Sequence, residues 1–161
     1  HNYSITSELE KLNELKEKLR ARIPVSQEFE ANFSQICFTN QVTKQKKLVQ
    51  YILARFDAHH ASGVPVDYER MTIEHVGPQN AGGRQSVKGT RIGMLGNLIL
   101  VDGELNAKLA NKDFATKKKL LASSKAWVDP YLSNASTWNN REVDTRTKEL
   151  AKAAYKTIWK I

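Results

Sequence analysis

Four polar residues between positions 71 and 121 carry side chains suited to hydrolytic chemistry. Glu74 and His75 are adjacent, Asn97 follows a glycine, and Asn106 comes nine positions later. An imidazole can take a proton near neutral pH, because its ordinary pKa lies there. Carboxylate and amide oxygens are ligands that hard cations prefer. One histidine, one carboxylate and two asparagines are therefore a combination typical of metal-dependent nucleases.

Two short strands and a helix must position these residues. The sequence predicts a first strand over 72–76, ended by the Gly-Pro pair at 77–78. Residues 80–93 are rich in Gly, Arg, Lys and Ser and indicate a long loop. A second strand is predicted over 95–101, and a helix begins at about Glu104. Successive side chains of a strand point to opposite faces, so Glu74 shares a direction with His75 only if the strand is irregular there.

The positive charge is concentrated in the same part of the chain. The formal net charge is +8. Residues 1–70 hold 10 basic and 9 acidic side chains, whereas residues 71–161 hold 15 basic and 8 acidic ones, a net +7. A basic field beside a cation site suits a polyanionic substrate. A solvated basic surface without a partner is the alternative that charge alone leaves open.

Composition excludes several classes of protein. The single cysteine, Cys37, excludes a disulfide within the chain and a cysteine-based zinc site. No apolar run approaches the roughly 20 residues of a membrane span, and the polar N-terminus lacks a signal peptide. We therefore expect a cytoplasmic protein without membrane contact. An apolar content of 40% favours one globular domain.

The first sixty residues are predicted to be helical. A helix over 7–22 carries Leu9, Leu12, Leu15 and Leu19 on one face. Burial of this stripe in the core is the preferred interpretation, and pairing with a partner helix is the alternative. Further helices are predicted from Ser26 and over 41–59. We expect residues 1–60 to pack on a core formed by residues 61–161.

Three sequence motifs carry a resemblance to a known family. The stretches EHVGPQN, GNLILVDGELN and NKDFATKKKLL resemble the HNH nuclease superfamily, and more closely the C-terminal domain of GmrSD-type modification-dependent restriction enzymes. The tail is similar to that family's closing helix at Trp138, Arg141, Arg146, Leu150 and Trp159. The resemblance spans roughly residues 51–161. It implies a mainly α protein with a small embedded ββα-metal (HNH) motif, an α+β fold.

The resemblance also implies roles for the four polar residues. His75 resembles the general base, and Glu74 resembles the acidic metal ligand that precedes it. Asn97 matches the central asparagine, which holds the loop and orients the histidine. Asn106 occupies the position of the last metal ligand. Because these ligands offer oxygen, the implied cation is Mg²⁺ or Mn²⁺.

Basic residues supply the predicted contacts with nucleic acid. The family implies one lysine near the scissile phosphate, and among Lys117, Lys118 and Lys119 we favour Lys118. The alternative for the other two lysines is a solvated turn. Three loop residues complete the predicted surface: Arg84, Lys88 and Arg91. The tryptophans of the tail are interpreted as core residues, with stacking on bases as the alternative.

The sequence thus predicts a metal-dependent DNA endonuclease or nickase domain, part of a phage-defence restriction system. The alternative is a nucleic-acid-binding or scaffolding module whose nuclease site is inactive. The expected partners are DNA and other domains of a longer protein, and self-association into a homo-oligomer is left open.

Overall fold

The computed structural model describes residues 2–60, 67–79 and 86–160. Within these ranges the chain is mainly helical, with one two-stranded sheet. The helices are α1 (Asn2–Arg20), α2 (Ser26–Phe33), α3 (Lys46–His60), α4 (Gly103–Leu109), α5 (Phe114–Ala122), α6 (Pro130–Asn134) and α7 (Asn140–Ala153). The strands are β1 (Thr72–His75) and β2 (Leu98–Val101). Short turns of 3₁₀ helix cover Tyr68–Arg70, Gly89–Gly93 and Leu95–Asn97, and a π-helical turn, Ala154–Ile158, follows α7.

The two strands pair antiparallel and lead into α4. His75 faces Leu98 across the ladder, and Thr72 faces Val101. This order confirms the predicted ββα motif and the mainly α, α+β fold class. The second strand begins three residues later than predicted, because Leu95–Asn97 close a 3₁₀ turn before β2. That turn contains Asn97, one of the predicted site residues.

Both faces of the sheet are buried. Leu98 and Leu100 belong to a core cluster shared with α3 and α7, whereas Ile99 and Val101 belong to a second cluster with α4 and α5. The period-2 geometry of a strand sends alternate side chains into the two clusters. This explains why β2 is apolar at each of its four positions. The sheet is therefore fixed from both sides.

Aspartates define the starts of three helices. Asp102, Asp113 and Asp129 each precede a helix and accept a backbone N–H from its first turn, at 2.7, 3.0 and 3.1 Å. Each carboxylate satisfies one of the N–H groups that a helix start leaves unpaired. These caps set where α4, α5 and α6 begin after the sheet.

The leucine stripe of α1 is not part of the core. Leu9, Leu12, Leu15 and Leu19 are between 47% and 58% exposed, so the preferred interpretation of this stripe is wrong. The predicted helix is confirmed, but no described element packs over this face. Helices α2 and α3, in contrast, bury Phe33, Val49 and Phe56 against β2 and α7. Within the described parts of the chain, no helix has the length and apolarity needed to span a membrane.

Candidate active site

His75 lies at the end of β1, on the wall of a polar cavity of about 350 Å³. Its Nε2 is 3.1 Å from the carbonyl oxygen of Phe38, and its Nδ1 is 3.3 Å from Nε2 of Gln79. The rings of Phe38 and His75 stack with centroids 6.0 Å apart. Phe38, in the segment between α2 and α3, thus fixes the histidine from one side.

These contacts select one tautomer of His75. A carbonyl oxygen can only accept a hydrogen bond, so Nε2 carries the hydrogen and Nδ1 keeps its lone pair. Burial lowers the pKa of His75, the charge of Lys117 lowers it further, and the bond to Phe38 partly opposes this. The imidazole is therefore neutral near neutral pH, with Nδ1 as the basic nitrogen.

Glu74 directs its carboxylate toward α5. The ammonium group of Lys117 binds Oε1 of Glu74 and donates a second hydrogen bond, of 2.6 Å, to the carbonyl of His75. Burial raises the pKa of the Glu74 carboxyl, and the bond from Lys117 partly offsets that rise. Glu74 still contributes to the cavity wall. The lysine binds one of its two carboxylate oxygens, Oε1.

The predicted roles of two lysines require correction. Lys117 is only 1% exposed and its ammonium is used by Glu74 and the backbone, so it cannot contact DNA. Lys118 donates to the carbonyl of Ala135 at 2.7 Å and lines a different, smaller cavity beside α6. The lysine of this run that lies beside His75 is therefore Lys117 and not Lys118. Lys119 is exposed, as a DNA contact requires.

Asn97 is fully buried and holds the chain that follows His75. Its Oδ1 accepts from the Gly77 N–H at 2.7 Å and from Nε1 of Trp138 at 2.9 Å. Its Nδ2 donates to the carbonyls of Gly77 and Ile92 at 2.9 and 2.8 Å. All four hydrogen-bonding positions of the amide are used, so Asn97 positions the segment behind His75 and does not touch a ligand in the cavity.

Arg146 of α7 supports the same turn from the other side. Its guanidinium is 0% exposed, pairs with Asp129 at 2.7 Å and donates to the carbonyls of Gly96 and Leu98 at 2.8 and 3.0 Å. The backbone approaches closely here, because a Cβ at Gly96 would lie 2.2 Å from the Val143 carbonyl. Arg146 was named from the sequence only as a residue of the closing helix, without a functional role. Its helical spacing from Val143 and Leu150, which are both apolar, was the available sign of burial.

The amides of the cavity come from separate elements. Asn106 of α4 lines it with Asn111 and Asn40. Among the described residues, no three His, Cys, Asp or Glu side chains cluster closely enough to hold a metal ion. A cation here would therefore need amide oxygens in addition to Glu74. Such a set of oxygen donors fits a hard cation such as Mg²⁺ or Mn²⁺ and does not fit a soft one.

Three further residues were predicted to contact DNA: Arg84, Lys88 and Arg91. A groove of about 690 Å³ shares Asn40 and Gln79 with the His75 cavity and is lined on its far side by Arg91. Arg91 is half-exposed and pairs with Asp144 at 2.8 Å. Lys88 is exposed, and Arg84 falls outside the described residues.

A larger cavity of about 760 Å³ lies between α3, α6 and α7 and is walled by Phe56, Trp127 and Tyr131. It contains none of the predicted site residues. Chemistry, and not size, identifies the His75 cavity as the candidate active site, because it combines a neutral imidazole with a carboxylate and several amides.

Comparison with known proteins adds an independent result. The sequence model of the family described as GmrSD restriction endonucleases, C-terminal domain, matches residues 23–153. No curated protein matches the chain. The matched region includes both strands, helices α2 to α7 and every residue of the candidate site described above. The chain therefore belongs to the GmrSD restriction endonuclease C-terminal domain family.

Proposed function

We propose that this domain is an HNH-type endonuclease that hydrolyses phosphodiester bonds of DNA with the help of Mg²⁺ or Mn²⁺. The observation that carries the proposal is the state of His75. Its Nε2–H is held by the Phe38 carbonyl, which leaves Nδ1 as the proton acceptor at a polar cavity. Membership of a restriction endonuclease family supports the nuclease activity.

The residues have separable roles in this reaction. Nδ1 of His75 takes the proton from the attacking water once the Gln79 amide, whose Nε2 donates to that nitrogen at 3.3 Å, has moved aside. Asn97 keeps the Gly77 backbone fixed behind the histidine. Glu74 through Oε2, with Asn106, would hold the cation. A bound Mg²⁺ or Mn²⁺ supplies stabilisation of negative charge on the phosphate and the leaving oxygen.

A DNA substrate agrees with the charge distribution. Residues 71–161 carry net +7, and Lys88 and Lys119 are exposed there. Phosphate contacts of this kind bind without reading sequence. We therefore infer that this domain binds DNA independently of sequence. We also infer that it acts within a phage-defence restriction system. The recognition of modified DNA would be the task of other domains of the same protein.

A plasmid-nicking assay tests the proposal. Supercoiled DNA is incubated with the protein in Mg²⁺, in Mn²⁺ and in EDTA, and nicked and linear products are measured. We expect cleavage in both metals and none in EDTA. His75→Ala should reduce the rate by about 10²–10⁴-fold. His59→Ala, which changes an exposed histidine at the end of α3, is the matched control and should cleave like the parent.

The alternative function predicts a different result in the same assay. A binding or scaffolding module would retain salt-dependent affinity for DNA but would produce no nicked plasmid in either metal. The ion pair between Lys117 and Glu74 is the observation that favours this alternative, because it occupies one oxygen of the predicted acidic ligand. Binding without cleavage in the parent protein would therefore overturn the proposed nuclease activity.

A further inference from the structure

Lys46 lines the His75 cavity but was not among the residues that sequence reasoning selected. It is the first residue of α3, its side chain is exposed, and its Nζ lies 6.0 Å from the centroid of the Phe38 ring. The same Phe38 stacks on His75 and accepts its Nε2–H. One aromatic residue therefore connects the lysine and the candidate base.

Lys118, which was predicted to lie near the phosphate, and its neighbour Lys117 both bind other groups. Lys117 is buried in its pair with Glu74, and Lys118 binds the Ala135 carbonyl. Among the described residues that line the cavity, Lys46 is the one with a cationic side chain. No carboxylate of the described chain lies within ion-pairing distance of it.

The surroundings of Lys46 suit an anionic ligand. The cavity also presents Asn40, Gln50 and Asn106, which offer amide N–H donors. The face of Phe38 attracts the ammonium group and supports its stem, while leaving its hydrogen-bond donors unused. A group with several oxygen acceptors and negative charge is the complement of such a wall.

We propose that Lys46 binds a non-bridging oxygen of the scissile phosphate in the His75 cavity and is a catalytic residue. This inference rests on the proposed nuclease function. The ammonium group would stabilise the negative charge that grows on the phosphate as the water attacks. The groove beyond Asn40 and Gln79 gives the rest of the nucleic-acid strand a path away from the cavity.

Neighbouring lysines provide matched controls. Lys44 and Lys47 are exposed, lie within two positions of Lys46 and do not line the cavity. Lys46→Ala, Lys44→Ala and Lys47→Ala each remove one positive charge from the same surface. Loss of general electrostatic attraction should therefore be equal in the three variants, whereas loss of a contact with the reacting phosphate should appear in Lys46→Ala alone.

The kinetic arm measures cleavage at saturating DNA. We expect Lys46→Ala to lower kcat by about 10²- to 10³-fold, the range found when one donor to a transition-state anion is removed. Lys44→Ala and Lys47→Ala should keep the parent kcat, and Lys46→Arg should recover part of the loss. Equal kcat for Lys46→Ala and Lys47→Ala, in a parent that cleaves, would overturn the catalytic role and leave the nuclease function intact.

The second arm does not depend on cleavage. The parent protein is reductively methylated in EDTA with and without a short DNA duplex, and the modification of each lysine is measured by mass spectrometry. We expect the duplex to protect Lys46 more strongly than Lys44 or Lys47. Protection of Lys46 in a protein that never cleaves would retain the phosphate contact and reject the nuclease function. Equal labelling of the three lysines would overturn the contact itself.

Discussion

Polar side chains around β1 and β2 occur in two contrasting settings. Asn97, Lys117 and Arg146 are 0–1% exposed and bind backbone groups or a buried carboxylate; we call them the buried polar network. The His75 cavity instead presents Lys46, Asn106 and Asn111, whose side chains bind no polar group of the described chain. Buried polar groups must be paired, whereas ligand-binding groups must remain available. The contrast separates residues that position the site from residues that can bind substrate.

The largest effect on stability is expected from the buried polar network. Lys117→Met leaves the Glu74 carboxylate buried without its partner, so we expect the free energy of unfolding to fall by about 3–5 kcal/mol. Urea unfolding followed by circular dichroism measures it. Lys119→Met, at an exposed position of the same helix, should change little. The double variant Glu74→Leu/Lys117→Met should regain most of the loss, and failure to regain it would argue against an ion-pair origin.

Asn97→Ala should give the next largest loss. It removes the partners of two N–H groups and two carbonyls in the interior. Because their costs overlap, we expect a fall of about 2–4 kcal/mol in the free energy of unfolding. The fluorescence of the protein should also change at low denaturant, since Trp138 loses its acceptor. Unaltered stability and fluorescence would show that the network does not hold this turn.

Asn106→Ala changes a residue that lines the cavity. It should alter the metal requirement of cleavage while leaving stability almost unchanged. Asn106 is half-exposed on α4, so we expect the stability to change by less than about 0.5 kcal/mol. The Mg²⁺ concentration that gives half-maximal cleavage should rise by about tenfold, the lower end of effects seen around metal sites. High Mg²⁺ should restore most of the rate. An unchanged metal titration would remove Asn106 from the ligand set.

His75 is buried like the network residues and also lines the cavity. The pH dependence of stability should report its burial. Since burial lowers its pKa in the folded protein, the unfolded chain binds the proton more readily. The stability contribution is therefore present above the unfolded pKa of about 6.5 and is lost as pH falls through the folded value. Urea unfolding in EDTA should show this loss in the parent and not in His75→Gln.

The same shift predicts the acid limb of the cleavage rate. Nδ1 must be unprotonated to accept a proton, so the rate should remain high as pH is lowered to about 6.5 and fall only below it. A pH–rate profile at saturating Mg²⁺ measures the midpoint. A midpoint above the ordinary imidazole range would contradict the burial of His75 as the cause.

The smallest effect is expected from a single exposed lysine. Lys119→Ala should reduce the slope of log affinity against log salt by roughly 0.9, the contribution of one phosphate contact. The affinity should fall about equally for unrelated DNA sequences. Lys16→Ala on α1, in the half of the chain with nearly balanced charge, is the control. A slope unchanged by Lys119→Ala would move the DNA path toward Lys88 and Arg91.

Local sequence patterns predicted the elements but not which of their faces are covered. The Gly-Pro pair after β1 and the apolar run before Asp102 defined the two strands, because turn chemistry and strand periodicity are local properties. The leucines of α1 have correct helical spacing, yet no described element lies over them. Burial depends on a tertiary neighbour, and spacing does not report whether that neighbour exists.

Sequence motifs predicted the histidine and the asparagine that line the cavity. They did not predict which lysines lie near it. His75 and Asn106 line one cavity, as their order in the ββα motif implied. Three consecutive lysines, however, point in three directions around a helix, and only the packing of α5 against β1 shows that Lys117 is the buried one. Lys46 approaches from α3, and no motif connects that helix to His75. The tertiary fold supplies this connection.

Arg146 binds the carbonyls of residues that precede it by 50 and 48 positions. These contacts close a long loop, and the entropy of that closure must be overcome before the turn containing Asn97 is secured. During synthesis, β1, β2 and α4 emerge before Trp138 and α7 exist. A nascent chain at that stage has its histidine and its amides but lacks the supports behind them. The proposed nuclease site is thus complete only after α7 has been made and has docked.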